Sequence, residues 1–141
     1  MVNFLIVTHG EFGSYAVEAA EGIVGEQRRG VRSVAVTHRM SVEQARARVA
    51  AAIDELCGPD GLVILTDIPG GTPSNLCLPL AQGRARVAVL SGLNLYMLVT
   101  AFSKRGLPFE ELVPLILGNG ARSLADLGKL LERRTKQKAE A

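Results

Sequence analysis

The sequence predicts an α/β fold: a doubly wound, mainly parallel four-stranded sheet with helices on both faces. Three observations predict it. Four short apolar runs rich in β-branched residues, each too short for a typical helix, recur along the chain. The segments between them repeat apolar residues at helical spacing. Most changes of period are marked by a glycine, a proline or a capping residue. Strand and helix alternating in this way mean right-handed βαβ units on a parallel sheet. A chain of 141 residues is enough for one domain with one core. That domain is expected over residues 1–130, followed over 131–141 by a charged tail that is frayed or helical.

The elements follow in order. "VNFLIV" (2–7) is a continuous apolar run and reads as a strand buried on both faces. From 14 to 24, Tyr15, Ala19, Ile23 and Val17, Ala20, Val24 recur at helical spacing, and Gly25 is placed to close the helix. "VRSVAVT" (31–37) is a second strand. Ser41 and Gln44 then form a capping box before the pattern Val42, Ala45, Val49, Ala52, Ile53, Leu56, which ends near "CGP" (57–59). "GLVILTD" (61–67) is a third strand, and "IPGGTPSN" (68–75) a turn whose Pro73 suits the first turn of the next helix. "ARVAVLSG" (85–92) gives a fourth strand, with Asn94 placed to cap a helix through about Ser103. After Pro108 the chain begins helical, but Pro114 should limit that helix and Gly118 and Gly120 interrupt it.

Composition narrows the function. Hydrophobic residues make up 48% and charged residues 21%, an ordinary globular balance. Aromatics at 4% and a formal charge of +2 argue against a nucleic-acid groove. Much of the positive charge sits in "ERRTKQK" (132–138), read as a solvated tail, leaving the body about neutral to slightly acidic. The first apolar run is short, lacks a basic flank and leads into a Thr-His-Gly turn, so neither a signal peptide nor a membrane span is expected, and the protein should be cytoplasmic. Cys57 and Cys77 show no CxxC spacing and read as small apolar residues rather than a disulfide or zinc framework.

In an open parallel sheet the ligand site lies beyond the carboxyl ends of the strands. His9 follows the first strand and Asp67 the third, so two residues far apart in sequence fall on that edge. An imidazole whose Nδ1–H is held by a carboxylate has a fixed tautomer and leaves Nε2 free as a nucleophile or base. Gly70 and Gly71 can bring backbone N–H groups close to an anion, Thr72 offers a hydroxyl, and the following helix points its positive end at the site. Gly10 and Gly13 could relax the first loop in the same way. A histidine nucleophile beside an anion cradle is an arrangement for phosphoryl transfer.

"FLIVTHGEFG" followed about sixty residues later by "LVILTDIPGGTPSN" resembles the IIA component of the mannose family of the bacterial phosphotransferase system. The D-x-x-GG-[ST]-P-x-N element is matched by Asp67, Gly70, Gly71, Thr72, Pro73 and Asn75. "VLSGLNLYMLV" (89–99) is similar to that family's G-x-N-x-P-M-L segment, with Gly92, Asn94, Met97 and Leu98 in place and Tyr96 where proline is common. The resemblance covers about residues 2 to 125. It implies that His9 accepts a phosphoryl group at Nε2 from the phosphocarrier HPr and passes it to a IIB component, with Asp67 orienting the ring. It implies that Gly71 and Thr72 approach the phosphoryl oxygens, with Gly10 and Gly70 in the same phosphate-binding loops. Phe12 and the segment from Asn94 to Met97 then lie near the partner-docking face. No metal or organic cofactor is implied, and the membrane permease is met only through IIB. The family is usually a homodimer in which a C-terminal strand is exchanged to pair antiparallel at the sheet edge, making "ARSLADL" (121–127) the candidate, although its pattern is equally helical.

Other readings fit less well. A receiver-like aspartyl-phosphate domain could use Asp67, but the acidic cluster and the DxDx[TV] motif are absent. No GxGxxG or GxxxxGK[ST] follows the first strand, and no G-x-S-x-G surrounds Ser14, Ser74 or Ser91. His9, His38 and Asp67 could supply three metal ligands, but "THRMS" is more simply a loop before a capping box. A IIA protein that signals phosphorylation state without transporting sugar fits the same residues.

Overall fold

In the computed structural model, which describes residues 1–140, strand β1 (Asn3–His9) lies inside a four-stranded sheet of order β2-β1-β3-β4. Its neighbours are β2 (Val31–Val36) and β3 (Leu62–Thr66), and β4 (Val87–Leu90) forms the far edge. Every pair is parallel. The helices are α1 (Phe12–Val24), α2 (Val42–Leu56), α3 (Thr72–Ala81), α4 (Leu95–Ser103), α5 (Phe109–Arg122) and α6 (Leu127–Glu140). The expected four parallel strands are all present.

Alternation along the strands builds two cores. Phe4 and Ile6 of β1 and Val63 and Leu65 of β3 point to one face, where α1, α4 and α5 cover them with Ala20, Leu98, Leu112 and Ile116. Leu5, Val7, Leu62 and Ile64 point to the other, under Val49 and Ile53 of α2 and Leu76 and Cys77 of α3. A strand buried on both faces has no polar position, which is why β1 and β3 read as unbroken apolar runs. The polar exceptions lie at the ends: Thr8, His9 and Thr66 at the carboxyl side, and Asn3 at the start of β1, where it donates to the Leu56 carbonyl at 2.7 Å.

The chain leaves β1 through α1 to reach β2 on one side and returns through α2 to β3 on the other. The connections out of β1 and β3 therefore diverge between those strands, the switch point at which such sheets bind ligands. The register pairs Val7 with Thr66, so the residue after β3 comes level with the end of β1. His9 is the last residue of β1 rather than the first beyond it.

Helices α2 and α4 begin as their caps predict. Asn94 accepts from the Met97 N–H at 3.1 Å at the start of α4, and Ser41 and Gln44 form both halves of the capping box on α2. The end differs from expectation. Helix α5 runs unbroken through Pro114, Gly118 and Gly120. Leu112, Ile116 and Gly120 recur four apart on its buried side, and that packing outweighs the hydrogen bond lost at Pro114. Gly120 is a contact rather than a break: a Cβ there would stand 2.5 Å from Met97 Cγ. Residues 121–127 form no strand. Ala121 and Arg122 finish α5, Ser123 closes it by donating to the Asn119 and Gly120 carbonyls at 3.2 Å, and Leu127 opens α6. Local capping sets the conformation there, and among the described residues no strand pairs with the outer edge of β4. The tail expected from residue 131 is the continuation of α6. No helix among the described residues is long and apolar enough to cross a membrane.

Candidate functional site

The site forms where β1 and β3 end side by side. Asp67 Oδ2 accepts two hydrogen bonds from one residue, the His9 backbone N–H at 2.9 Å and its Nδ1 at 2.8 Å, while Oδ1 accepts the Ile68 N–H at 2.9 Å. Burial pushes this carboxyl up and those three donors pull it down. The donors prevail, and Asp67 lies below its ordinary value of 3.8. An ionised carboxylate only accepts, so Nδ1 carries the ring proton and Nε2 presents a lone pair. The two side chains differ in access: Asp67 is 10% exposed and His9 50%. The unbonded ring nitrogen belongs to the open partner.

The motif residues after Asp67 shape the loop that meets the ring. Gly70 has φ +78, a left-handed conformation suited to glycine, and its carbonyl accepts from Asn75 Nδ2 at 3.1 Å. Gly71 comes so close that a Cβ on it would lie 3.1 Å from His9 Cε1 and 3.7 Å from Nε2. Pro73 is buried in the first turn of α3, whose N-terminus has no side-chain cap. The Thr72 and Ser74 N–H groups therefore lack a protein acceptor among the described residues, beside the exposed Thr72 side chain. An uncapped helix N-terminus next to a nucleophilic nitrogen favours an anion at that nitrogen.

Not every expected residue takes the expected part. Gly10 adopts φ +53, but its N–H is committed to the Val36 carbonyl at 2.9 Å, so it shapes the turn and offers no donor to a phosphate. Gly13 is a packing residue, since a Cβ there would reach Ile6 Cγ2 at 2.6 Å. Phe12 is exposed at the start of α1, near His9 in sequence. Met97 is buried against Gly120 and cannot present itself to a partner, and Asn94 is half-buried, donating to the Gly120 carbonyl at 3.2 Å. The exposed side chains of that segment are Leu95 and Tyr96.

Two contributions were not singled out from the sequence. The buried Ser74 hydroxyl donates to the Ile68 carbonyl at 2.9 Å and pairs with Thr66 Oγ1 at 2.7 Å, bracing the loop from below. A serine in the variable position of the motif gives no sign of this, and only its placement one turn inside α3 could have suggested it. The Gly92 and Leu93 N–H groups donate at 3.0 Å to the Asp67 and Thr66 carbonyls, tying the loop after β4 to the one after β3. His38 lines a pocket of about 260 Å³ with His9, Thr72, Met40 and Val42. Among the described residues no three His, Cys, Asp or Glu side chains gather as a metal site.

Comparison with known proteins finds both a family and a shared fold. A family model described as "PTS system fructose IIA component" (EIIA-man) matches residues 3–115. The solved structure of phosphotransferase system component EIIA from Streptococcus agalactiae is 28% identical, with a TM-score of 0.81 over 92% of this chain and 99% of that one. The PTS IIA protein associated with the fucose utilization operon of Streptococcus pneumoniae is also 28% identical, with a TM-score of 0.83 over 92% and 96%. The mannose/sorbose specific IIA subunit from Enterococcus faecalis, at 24% identity, shares the fold, with a TM-score of 0.79 over 88% and 92%.

Proposed function

This chain belongs to the phosphotransferase-system IIA family, and from that premise we propose that it is a phosphocarrier whose His9 takes a phosphoryl group from phospho-HPr and hands it to a IIB component for sugar uptake. Family membership supports a phosphotransfer role in the sugar phosphotransferase system. The observation that carries the finer reading is the 2.8 Å contact between His9 Nδ1 and Asp67 Oδ2, which directs the open Nε2 toward the uncapped start of α3.

The Nε2 lone pair attacks phosphorus while the donor's bond to phosphorus breaks, its electron pair remaining on the donor. The ring becomes positive as the new bond forms, and the ionised Asp67 stabilises that charge at Nδ1. The Thr72 and Ser74 N–H groups, with the Thr72 hydroxyl, receive the equatorial oxygens, so catalysis is positioning and charge stabilisation. Gly71 lets the loop approach the transferred group without a side chain in its path. Transfer to IIB runs the same step in reverse with a new acceptor. Phe12, Leu95 and Tyr96 supply apolar surface for docking both partners, the protein acts as a homodimer in the cytoplasm, and it reaches a permease only through IIB.

The test is incubation with phosphoenolpyruvate, enzyme I and HPr. A label stable to base, labile to acid and absent in His9→Ala is the expected outcome. A base-labile label would move the chemistry to Asp67, and normal labelling of His9→Ala would end the assignment to His9.

A further inference from the structure

Two hydroxyls are buried beneath the loop that carries Asp67. Thr66 ends β3 at 0% exposure, and Ser74 stands in the first turn of α3 at 5%. Thr66 follows Leu62 and Ile64 at the two-residue period of the strand, so it faces the apolar core under α2 and α3, where a valine would fill the same space. Burying a hydroxyl costs free energy that burying a methyl does not, and packing alone gives no reason for two of them.

The hydrogen bonds give the pair a direction. The Ile68 carbonyl can only accept, so the single Ser74 hydroxyl proton goes to it at 2.9 Å. The Thr66 proton then goes to Ser74 Oγ at 2.7 Å, since its other acceptor, the Leu90 carbonyl, is 3.4 Å away. A chain results that runs from the end of β3 through the start of α3 to the residue after Asp67, each bond polarising the next. Ile68 is also the residue whose N–H holds Asp67 Oδ1 at 2.9 Å, and its carbonyl accepts the Gly71 N–H at 3.2 Å. One carboxylate oxygen is thus held by a residue that the two hydroxyls anchor, while the other meets His9. The turn has little room to shift: a Cβ on Gly71 would already stand 3.1 Å from His9 Cε1.

We propose that Thr66 and Ser74 are positioning residues, whose hydroxyl chain holds Asp67 in register with His9 Nδ1 and so sets both the ring tautomer and the rate of phosphoryl transfer. Neither hydroxyl bonds to His9 or to Asp67, so both act through the carboxylate. A displacement of about 1 Å at a reacting centre can cost far more in rate than in stability. The claim on rate rests on the phosphocarrier reading, whereas the claim on the tautomer does not.

The full chain carrying Thr66→Val with Ser74→Ala tests this. Removing both hydroxyls leaves neither short of a partner, and the Ser74 backbone N–H stays in place. The melting temperature should remain within about 5 °C of wild type. Nitrogen-15 spectra at about pH 8, where an ordinary imidazole is neutral, read the tautomer of His9 against the exposed His38, the only other histidine. The wild type should show the Nδ1–H form, and the double variant a clear share of the Nε2–H form at His9 alone. With phospho-HPr as donor, kcat should fall about tenfold at unchanged KM. Thr66→Ser, which keeps the hydroxyl and gives up a methyl, should retain most of both properties. A double variant with the wild-type tautomer overturns the proposal, whatever its rate, and a shifted tautomer at unchanged kcat overturns the claim on rate. Should the double variant fail to fold, Ser74→Ala alone, with the Thr66 hydroxyl turned to the Leu90 carbonyl, is judged by the same two measures. A wild-type chain that takes no label ends the phosphocarrier reading alone, and the tautomer still decides whether the two hydroxyls position Asp67.

Discussion

Strand β1 carries a polar cluster at each end, one open and one closed. At the carboxyl end His9 is half exposed, its Nδ1 bound to a carboxylate and its Nε2 without a partner among the described residues. At the amino end Arg105 is 7% exposed and every contact is inward. Its Nε donates to the Val2 carbonyl at 3.1 Å, its Nη1 donates to Gln27 Oε1 and to the Arg29 carbonyl at 3.0 Å, and its guanidinium lies 5.4 Å from the centre of the Phe4 ring. Among the described residues no carboxylate pairs with it. Arg105 fastens the start of β1 to the approach to β2 and the end of α4 through Nε and Nη1, and only Nη2 lacks a protein partner among the described residues. His9 keeps one nitrogen in reserve. The comparison separates a cluster whose bonds lie inside the fold from one whose unbonded nitrogen stands open to solvent, and exposure rather than polarity tells the two apart.

Asp67→Asn is the largest way to break it. With Nδ1 no longer facing an ionised acceptor, the ring loses its fixed tautomer and its counter-charge. Phosphoryl transfer should fall by about two to four orders of magnitude, while the circular dichroism spectrum stays that of the wild type. A transfer rate within a factor of about two of wild type would make Asp67 a structural residue like those at the other end. Arg105→Met is the reciprocal change. It removes three hydrogen bonds and a cation over an aromatic face, leaving the Gln27 side chain and two carbonyls short of a partner. Unfolding in urea should show a loss of about 2–4 kcal/mol, with transfer by the folded fraction unchanged. A variant of unaltered stability would deny Arg105 its role.

The same contrast explains how much could be read in advance. The sheet, its order of elements and the pairing of His9 with Asp67 were legible because each follows from a local pattern: unbroken apolar runs, capping residues, and a topology that brings strand ends to one edge. Arg105 was not, since a lone arginine between α4 and α5 looks like any surface cation until the fold buries it. Gly120 and Met97 failed for a related reason. Glycine in a helix reads as a break and methionine in a motif reads as a docking residue, yet the two meet in the crossing of α4 and α5, a contact between residues more than twenty apart. The motif Asp67–Asn75 was legible as chemistry, but the Ser74–Thr66 brace beneath it depends on which side of α3 faces down. Gly10 was misread because a positive φ suits an anion loop and a simple turn equally, and only the acceptor of its N–H decides.

The smallest effect is a difference in pH dependence between the two clusters. Asp67 has a folded pKa below its ordinary value of 3.8, despite burial, because the His9 and Ile68 donors favour the ionised form. A depressed carboxyl stabilises the fold fully above the unfolded value and loses that contribution as pH falls through the folded one. The gap in melting temperature between wild type and Asp67→Asn should therefore close as pH falls below 3.8. Burial lowers the Arg105 pKa as well, but an arginine stays charged throughout this range. Its gap against Arg105→Met should not move over the same titration. Closure of the Asp67 gap already near pH 6 would mean that the hydrogen bonds do not hold the carboxylate as its geometry requires. A constant gap through pH 3 would mean that ionisation of Asp67 adds nothing to folding and matters only to transfer.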